Sequence, residues 1–138
     1  MKKQVLALVG VLSLLLVAGS AFAQAGQIRA NIPFNFTVGH TTLPAGNYSV
    51  STTGGTDSIL VIRGLDGKAL KLVGSHHVQA SKFSDRTKLV FRCYGDRYFL
   101  AQVWTLGSQM GRELPKSPLE SEIAMDAAAH EVVLVASR

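Results

Sequence analysis

The segment from residue 87 to 106 constrains the fold most. Two runs, 87–94 and 97–106, flank Gly95-Asp96, and glycine at the first central position suits a two-residue type II′ turn, whose twist matches that of the strands it joins. Pairing outward from the turn sets Tyr94 opposite Arg97, Cys93 opposite Tyr98, Phe91 opposite Leu100, Leu89 opposite Gln102 and Thr87 opposite Trp104. Directly opposed residues share a face. One face therefore collects Leu89, Phe91, Cys93, Tyr98, Leu100, Trp104 and Leu106 and reads as core. The other mixes Val90, Phe99, Ala101 and Val103 with Lys88, Arg92, Tyr94 and Arg97, apolar toward the strand bases and basic toward the turn.

The remaining chain carries the same two-residue period. From 28 to 38 the even positions are apolar, from Ile28 through Phe34 to Val38, while the odd positions are Arg29, Asn31, Pro33, Asn35 and Thr37. That alternation predicts a half-buried strand. Pro33, on its outward face, cannot donate a ladder hydrogen bond, so the strand lies at a sheet edge or is interrupted there. Residues 43–47 read as a turn into a strand at 48–51, and a further hairpin, 58–64 with 68–74, turns at Asp66-Gly67 through a type I′ geometry. After Gly107 the alternation stops. Ser117-Pro118-Leu119-Glu120 has the form of a capping box. It predicts a helix from 118 to about 129, with Leu119, Ile123 and Ala127 as the stripe that covers part of the mixed sheet face. The run Val132-Val133-Leu134-Val135 suits a final buried strand within 131–137. The fold expected is a single all-β domain, an antiparallel sandwich or small barrel of about seven or eight strands with one short helix before the last.

The first residues read as an export signal. Lys2 and Lys3 precede an uncharged apolar stretch over 5–17, then Gly19, Ser20 and the triplet Ala21-Phe22-Ala23. The apolar run is shorter than the roughly 20 residues a membrane-crossing helix needs. Cleavage after Ala23 leaves a mature domain of residues 24–138; Ala23-Gln24-Ala25 offers a second site after Ala25. No cysteine lies nearby to accept a lipid, and no later run is long enough to anchor the chain by a helix. Loss of Lys2 and Lys3 takes the basic residues from 14 to 12 against 9 acidic ones, a net charge of +3 rather than +5. The charges are scattered, which argues against nucleic acid and leaves weak attraction to anionic glycans or lipid headgroups. A lone cysteine, Cys93, rules out an internal disulfide in a periplasmic or extracellular protein and leaves an intermolecular one open.

No catalytic motif emerges. Neighbouring strand residues point to opposite faces, so His76 and His77 cannot serve one metal unless the strand breaks, for which Gly74-Ser75 is the natural place. With His40 and His130 they give no ligand spacing of a known metal site, and no cofactor is expected. Cys93, on the core face, behaves as a small hydrophobe. Gly107-Ser108-Gln109-Met110-Gly111 places serine wrongly for a nucleophile elbow. Among the carboxylates, Asp96 serves the turn and Glu120 the cap, while Glu113 and Glu122 have Arg112 and Lys116 nearby as partners. The candidate binding surface is the mixed face around Arg92, Tyr94, Arg97 and Phe99, where rings and guanidinium groups could grip an anionic glycan, a lipid or an envelope protein. The competing reading is that the helix or a second sheet buries its apolar part and the arginines pair with glutamates.

Two blocks carry a resemblance. Residues 31–39, NIPFNFTVG, with Leu43-Pro44-Ala45-Gly46-Asn47-Tyr48, and a second set running from KLVF at 88–91 through YGDRYFL at 94–100 to GRELPKS at 111–117, resemble a family of short exported bacterial proteins. Together they cover about half of the mature chain. The resemblance implies export and a β domain without a mechanism, and Cys93 departs from the family's usual pattern. The function expected is a non-catalytic binding or structural module of the cell envelope. Two alternatives stand beside it. An enzyme acting on envelope glycans or lipids, with Glu113 or His76 in its site, requires convergent polar groups, and separations above about 10 Å on open surface would exclude it. An outer-membrane barrel requires strands of about 9–11 residues.

Overall fold

The computed structural model describes residues 27–53 and 59–137; the leader, both cleavage positions and Ser58 lie outside them. Among these residues eleven strands and one helix build an all-β sandwich of two open sheets. Neither closes, so the barrel alternative gives way to the sandwich. The smaller sheet has the order β1 (Ile28–Ile32), β4 (Gly46–Thr53), β5 (Ile59–Gly64), β6 (Leu70–Gly74), all antiparallel. The larger runs β11 (His130–Val135), β8 (Lys88–Tyr94), β9 (Arg97–Trp104), β10 (Met110–Glu113), β7 (His76–Gln79). Short β2 (Phe36–Val38) joins it in parallel at Thr37 and Phe99 and pairs in turn with β3 (Thr41–Leu43). Among the described residues no strand exceeds eight residues and no helix is long and apolar enough to cross a membrane.

The strand count exceeds the expected seven or eight because the chain changes sheets where it cannot continue a ladder. Pro33 ends β1 in the smaller sheet, and β2 resumes in the larger. The alternation survives this crossing: Ile28, Ala30, Ile32, Phe36 and Val38 are all buried, because the inner faces of both sheets look onto one core. Phe34 fills the crossing, stacked on Tyr98 with centroids 3.9 Å apart and edge-on to Phe91 at 5.0 Å. A second switch falls at Ser75, between β6 and β7.

The hairpin of β8 and β9 turns at Gly95-Asp96, with Gly95 at φ 65° as a primed turn requires. Its register follows the expected one from Tyr94–Arg97 to Phe91–Leu100 and then slips. Ala101 bulges, so Val90 faces Gln102, Leu89 faces Val103 and Lys88 faces Trp104. Val103 thereby turns into the core, whereas Gln102 and Trp104 pass to the outer face and Leu106 is exposed, each a correction to the expected faces.

The Asp66-Gly67 hairpin also differs. Gly64 N–H donates to Ala69 O at 2.9 Å, which leaves a four-residue loop over 65–68 rather than a two-residue turn. Asp66 Oδ1 accepts from Lys68 N–H at 2.9 Å, so the side chain shapes its own loop. The last strand is half-covered, not buried. At the sheet edge only Val132 and Leu134 pack on the core, and Val133 and Val135 are exposed. Beyond it Ser137 clasps β1, exchanging backbone hydrogen bonds with Arg29 at 2.7 and 2.9 Å, while Ala136 N–H donates to Thr87 O at 2.9 Å.

Candidate functional site

The outer face of the larger sheet holds three of the four expected binding residues beneath the helix. Ser117 caps that helix (Pro118–Asp126) with extended backbone, its Oγ accepting from Glu120 N–H at 3.2 Å, and Pro118 follows at the first turn. The cap forms as expected, but Glu120 is committed elsewhere. Arg92 Nε and Nη2 donate to Oε2 and Oε1 of its carboxylate, the latter at 3.0 Å, and Tyr94 hydroxyl donates to Oε2 at 2.9 Å. Glu120 is only 2% exposed, and a carboxylate so withdrawn from water needs this forked, charge-assisted pairing. The expected stripe is overturned: Leu119 and Ala127 are exposed and Glu120 is the helix's one buried residue. The helix also ends at Asp126, because Ala127 is already extended.

Arg92 extends the network. Its Nη2 donates to Leu114 O at 3.2 Å and its Nη1 lies 4.0 Å from Glu113 Oε1. Glu113 Oε2 lies 3.2 Å from His76 Nε2, its Oε1 accepts from Gln102 Nε2 at 3.4 Å, and Trp104 Nε1 donates to Gln102 Oε1 at 2.9 Å. A polar seam thus crosses β8, β9, β10 and β7. Burial first, then the hydrogen bond to Glu120, raises the Tyr94 phenol above its ordinary value and keeps it a donor. Phe99 is buried edge-on to Tyr94 at 5.8 Å, whereas Arg97 is exposed beside the turn. Arg92 therefore pairs with a glutamate, as the competing reading had it, and Arg97 is the member of the four that projects into water.

His76 and Glu113 converge on this outer face, while His77 lies on the opposite one. Among the described residues no three His, Cys, Asp or Glu side chains could hold a metal ion together. Cys93 is buried, its Sγ donating to Gly95 O at 3.1 Å.

Arg112 does not pair with Glu113, as their adjacency suggested, because consecutive residues of β10 face opposite ways. Glu113 joins the outer seam; Arg112 stands opposite Val103 and His77 on the inner face. Outward-facing Gly111 sits where an added Cβ would come within 2.7 Å of the Trp104 ring. Between the sheets here lies an open-sided cavity of about 200 Å³, lined by Ser51, Thr52, Thr105, His77 and Arg112 beside the almost wholly buried Ile28, Val50, Leu60 and Val103. Arg112 Nη1 is buried without a hydrogen-bond partner among the described residues. The sequence signal for it is parity: Arg112 shares alternate positions with core residue Leu114. A larger concavity of about 830 Å³ near Pro44, Tyr48, Asp66 and Lys68 differs, for Tyr48 hydroxyl is held by Pro44 O at 2.6 Å and Asp66 by its own loop. Comparisons of the chain with protein-family models, with curated proteins and with solved structures found no match.

Proposed function

We propose that this protein is exported and serves, without turnover, as a binding module of the cell envelope, periplasmic or extracellular. The charged-apolar-small order of residues 1–23 supports export. One observation carries the binding reading: Arg112 has a guanidinium nitrogen that is buried and, among the described residues, without a hydrogen-bond partner, and it stands beside a cleft between the sheets. Buried polar groups are ordinarily paired, and a residue that breaks the rule at a cost to the fold fits a ligand's counterpart. The Arg92–Glu120–Tyr94 cluster supports a scaffold role for the outer face, since its polar groups satisfy one another.

The test is to isolate the protein from an envelope extract and weigh it intact under native conditions. A mature start at Gln24 or Gly26, release by carbonate or high salt, and a reproducible bound mass are expected; full-length protein retained in the cytosol, with no adduct, would refute the reading. An adduct lost on Arg97→Ala would locate the ligand on the outer face.

A second reading, an enzyme acting on envelope glycans or lipids, is favoured by the His76–Glu113 pair at 3.2 Å. Turnover of chromogenic glycosides or esters that disappears in Glu113→Gln would establish it instead.

A further inference from the structure

We infer that one corner of the sandwich docks on an anionic lipid bilayer, Phe83 entering the interface while Lys82 and Lys88 hold a phosphate headgroup. This surface uses none of the residues that line the cleft at Arg112, so it goes beyond the binding reading and does not depend on that cleft. Phe83 lies in the loop between β7 and β8 and is 67% exposed, more than any other aromatic residue among those described. The loop that carries it is pinned on both sides of the ring. Ala80 N–H donates to Gln109 O at 2.8 Å, Ser84 N–H to Ser108 O at 2.9 Å and Gly107 N–H to Ser84 O at 2.8 Å, while Ser84 Oγ donates to Arg86 O at 2.6 Å. A ring held in water by a satisfied backbone marks a surface for something else to cover.

Apolar and basic side chains gather around the ring. With Lys82, Ser84, Lys88 and Trp104 it lines an open-sided concavity of about 380 Å³. Register places Val135, Lys88 and Trp104 side by side on the outer face, at the opposite end of β8 from Tyr94. Val135 and Leu106 are each more than half exposed, and Leu106 N–H donates to Thr87 Oγ1, next to Lys88, at 3.1 Å. Charge then chooses the partner. Asp85 is the only acid on the concavity, and the Arg86 guanidinium takes it at 3.4 Å. The ammonium groups of Lys82 and Lys88 have no acidic partner among the described residues.

A ring and aliphatic side chains set among cations match the layering of a membrane surface, where the apolar groups enter the acyl boundary and lysine stems keep their charges at the phosphates. A neutral bilayer would leave both ammonium groups without a counter-ion, whereas an anionic one rewards each of them. A stable protein partner covers about 20–30 residues a side; this patch is a handful around one concavity.

The test is to sediment protein purified from the envelope extract with vesicles of phosphatidylcholine mixed with phosphatidylglycerol. It should pellet with them, be released by high salt, and stay in solution with vesicles of phosphatidylcholine alone. Lys82→Gln combined with Lys88→Gln should weaken binding about thirtyfold, and Phe83→Ser about tenfold. The melting temperature should hold in both, because none of these side chains is buried. Phe83→Trp gives a second readout, since its emission should shift to the blue on binding and be quenched by brominated acyl chains. Leu72→Ser removes a comparably exposed leucine from the smaller sheet and should change nothing.

Equal binding to the two kinds of vesicle, binding unchanged in the lysine variant, a loss in Leu72→Ser that matches Phe83→Ser, or no binding at all would each overturn the inference. So would retention on an immobilised anionic polysaccharide that the lysine variant loses while vesicles go unbound, which would give the surface to a glycan. If vesicles fail while the envelope protein carries a bound mass, the membrane assignment falls and the binding reading stands; vesicle binding without such a mass means the reverse.

Discussion

Glu120 is the one charged residue among those described that is almost wholly removed from water, and Arg92, 15% exposed at its side chain, is its counter-ion. Such a pair adds little net stability over a well-packed apolar substitute, but breaking it strands the survivor. Glu120→Ala should therefore lose about 3–5 kcal/mol, read from the urea midpoint, whereas Arg92→Met combined with Glu120→Leu should lose much less. Equal losses from the single and double variants would contradict the pairing. Local sequence revealed half of this arrangement. Ser117-Pro118 marked the helix start, because capping is written within four residues. The direction of the Glu120 carboxylate was not legible, since it answers to Arg92, 28 positions earlier and on a strand. Arg112 was missed for a related reason: its adjacency to Glu113 suggested a pair, and only the pleat of β10 separates them.

At the scale of elements, the turn of the β8–β9 hairpin depends on Gly95. With φ at 65°, Gly95→Ala should cost about 1–2 kcal/mol of stability by the steric cost of left-handed backbone. Gly74→Ala is the control, because its φ is not positive and an added Cβ there meets nothing within 4 Å. Matched urea midpoints for the two variants would refute the turn's dependence on glycine. The hairpin was readable as far as Phe91 and Leu100, where turn chemistry alone sets register. Past that point the bulge at Ala101 decides, and a small apolar residue in an apolar run carries no mark of one. The alternation over 28–38 likewise identified the buried side chains but not their division between two sheets, since a period of two states which face is covered and not by which layer. Val133 and Val135 looked buried only because an apolar run does not reveal that its strand stands at an edge.

For the molecule as a whole, the three tyrosines share one electrostatic character. Burial raises Tyr48 and then Asp66 adds to it; burial and Glu120 raise Tyr94; the electrostatic interaction with Cys93, then burial, raises Tyr98. The folded chain therefore holds its phenolic protons longer than the unfolded chain does. The stability this contributes is present below the ordinary phenol value of about 10 and is lost as pH rises through the folded values. Urea midpoints should hold up to about pH 10 and fall above it, with native absorbance at 295 nm lagging behind that of the unfolded protein. Coincident titrations would contradict the burial described. The clasp between Ser137 and Arg29 joins residues 108 positions apart. Because synthesis is vectorial, β1 emerges before its partner in the clasp and is held by β4 alone until residues 108 positions later have followed it. A chain cut before residue 137 would leave that seam of the sandwich unfastened.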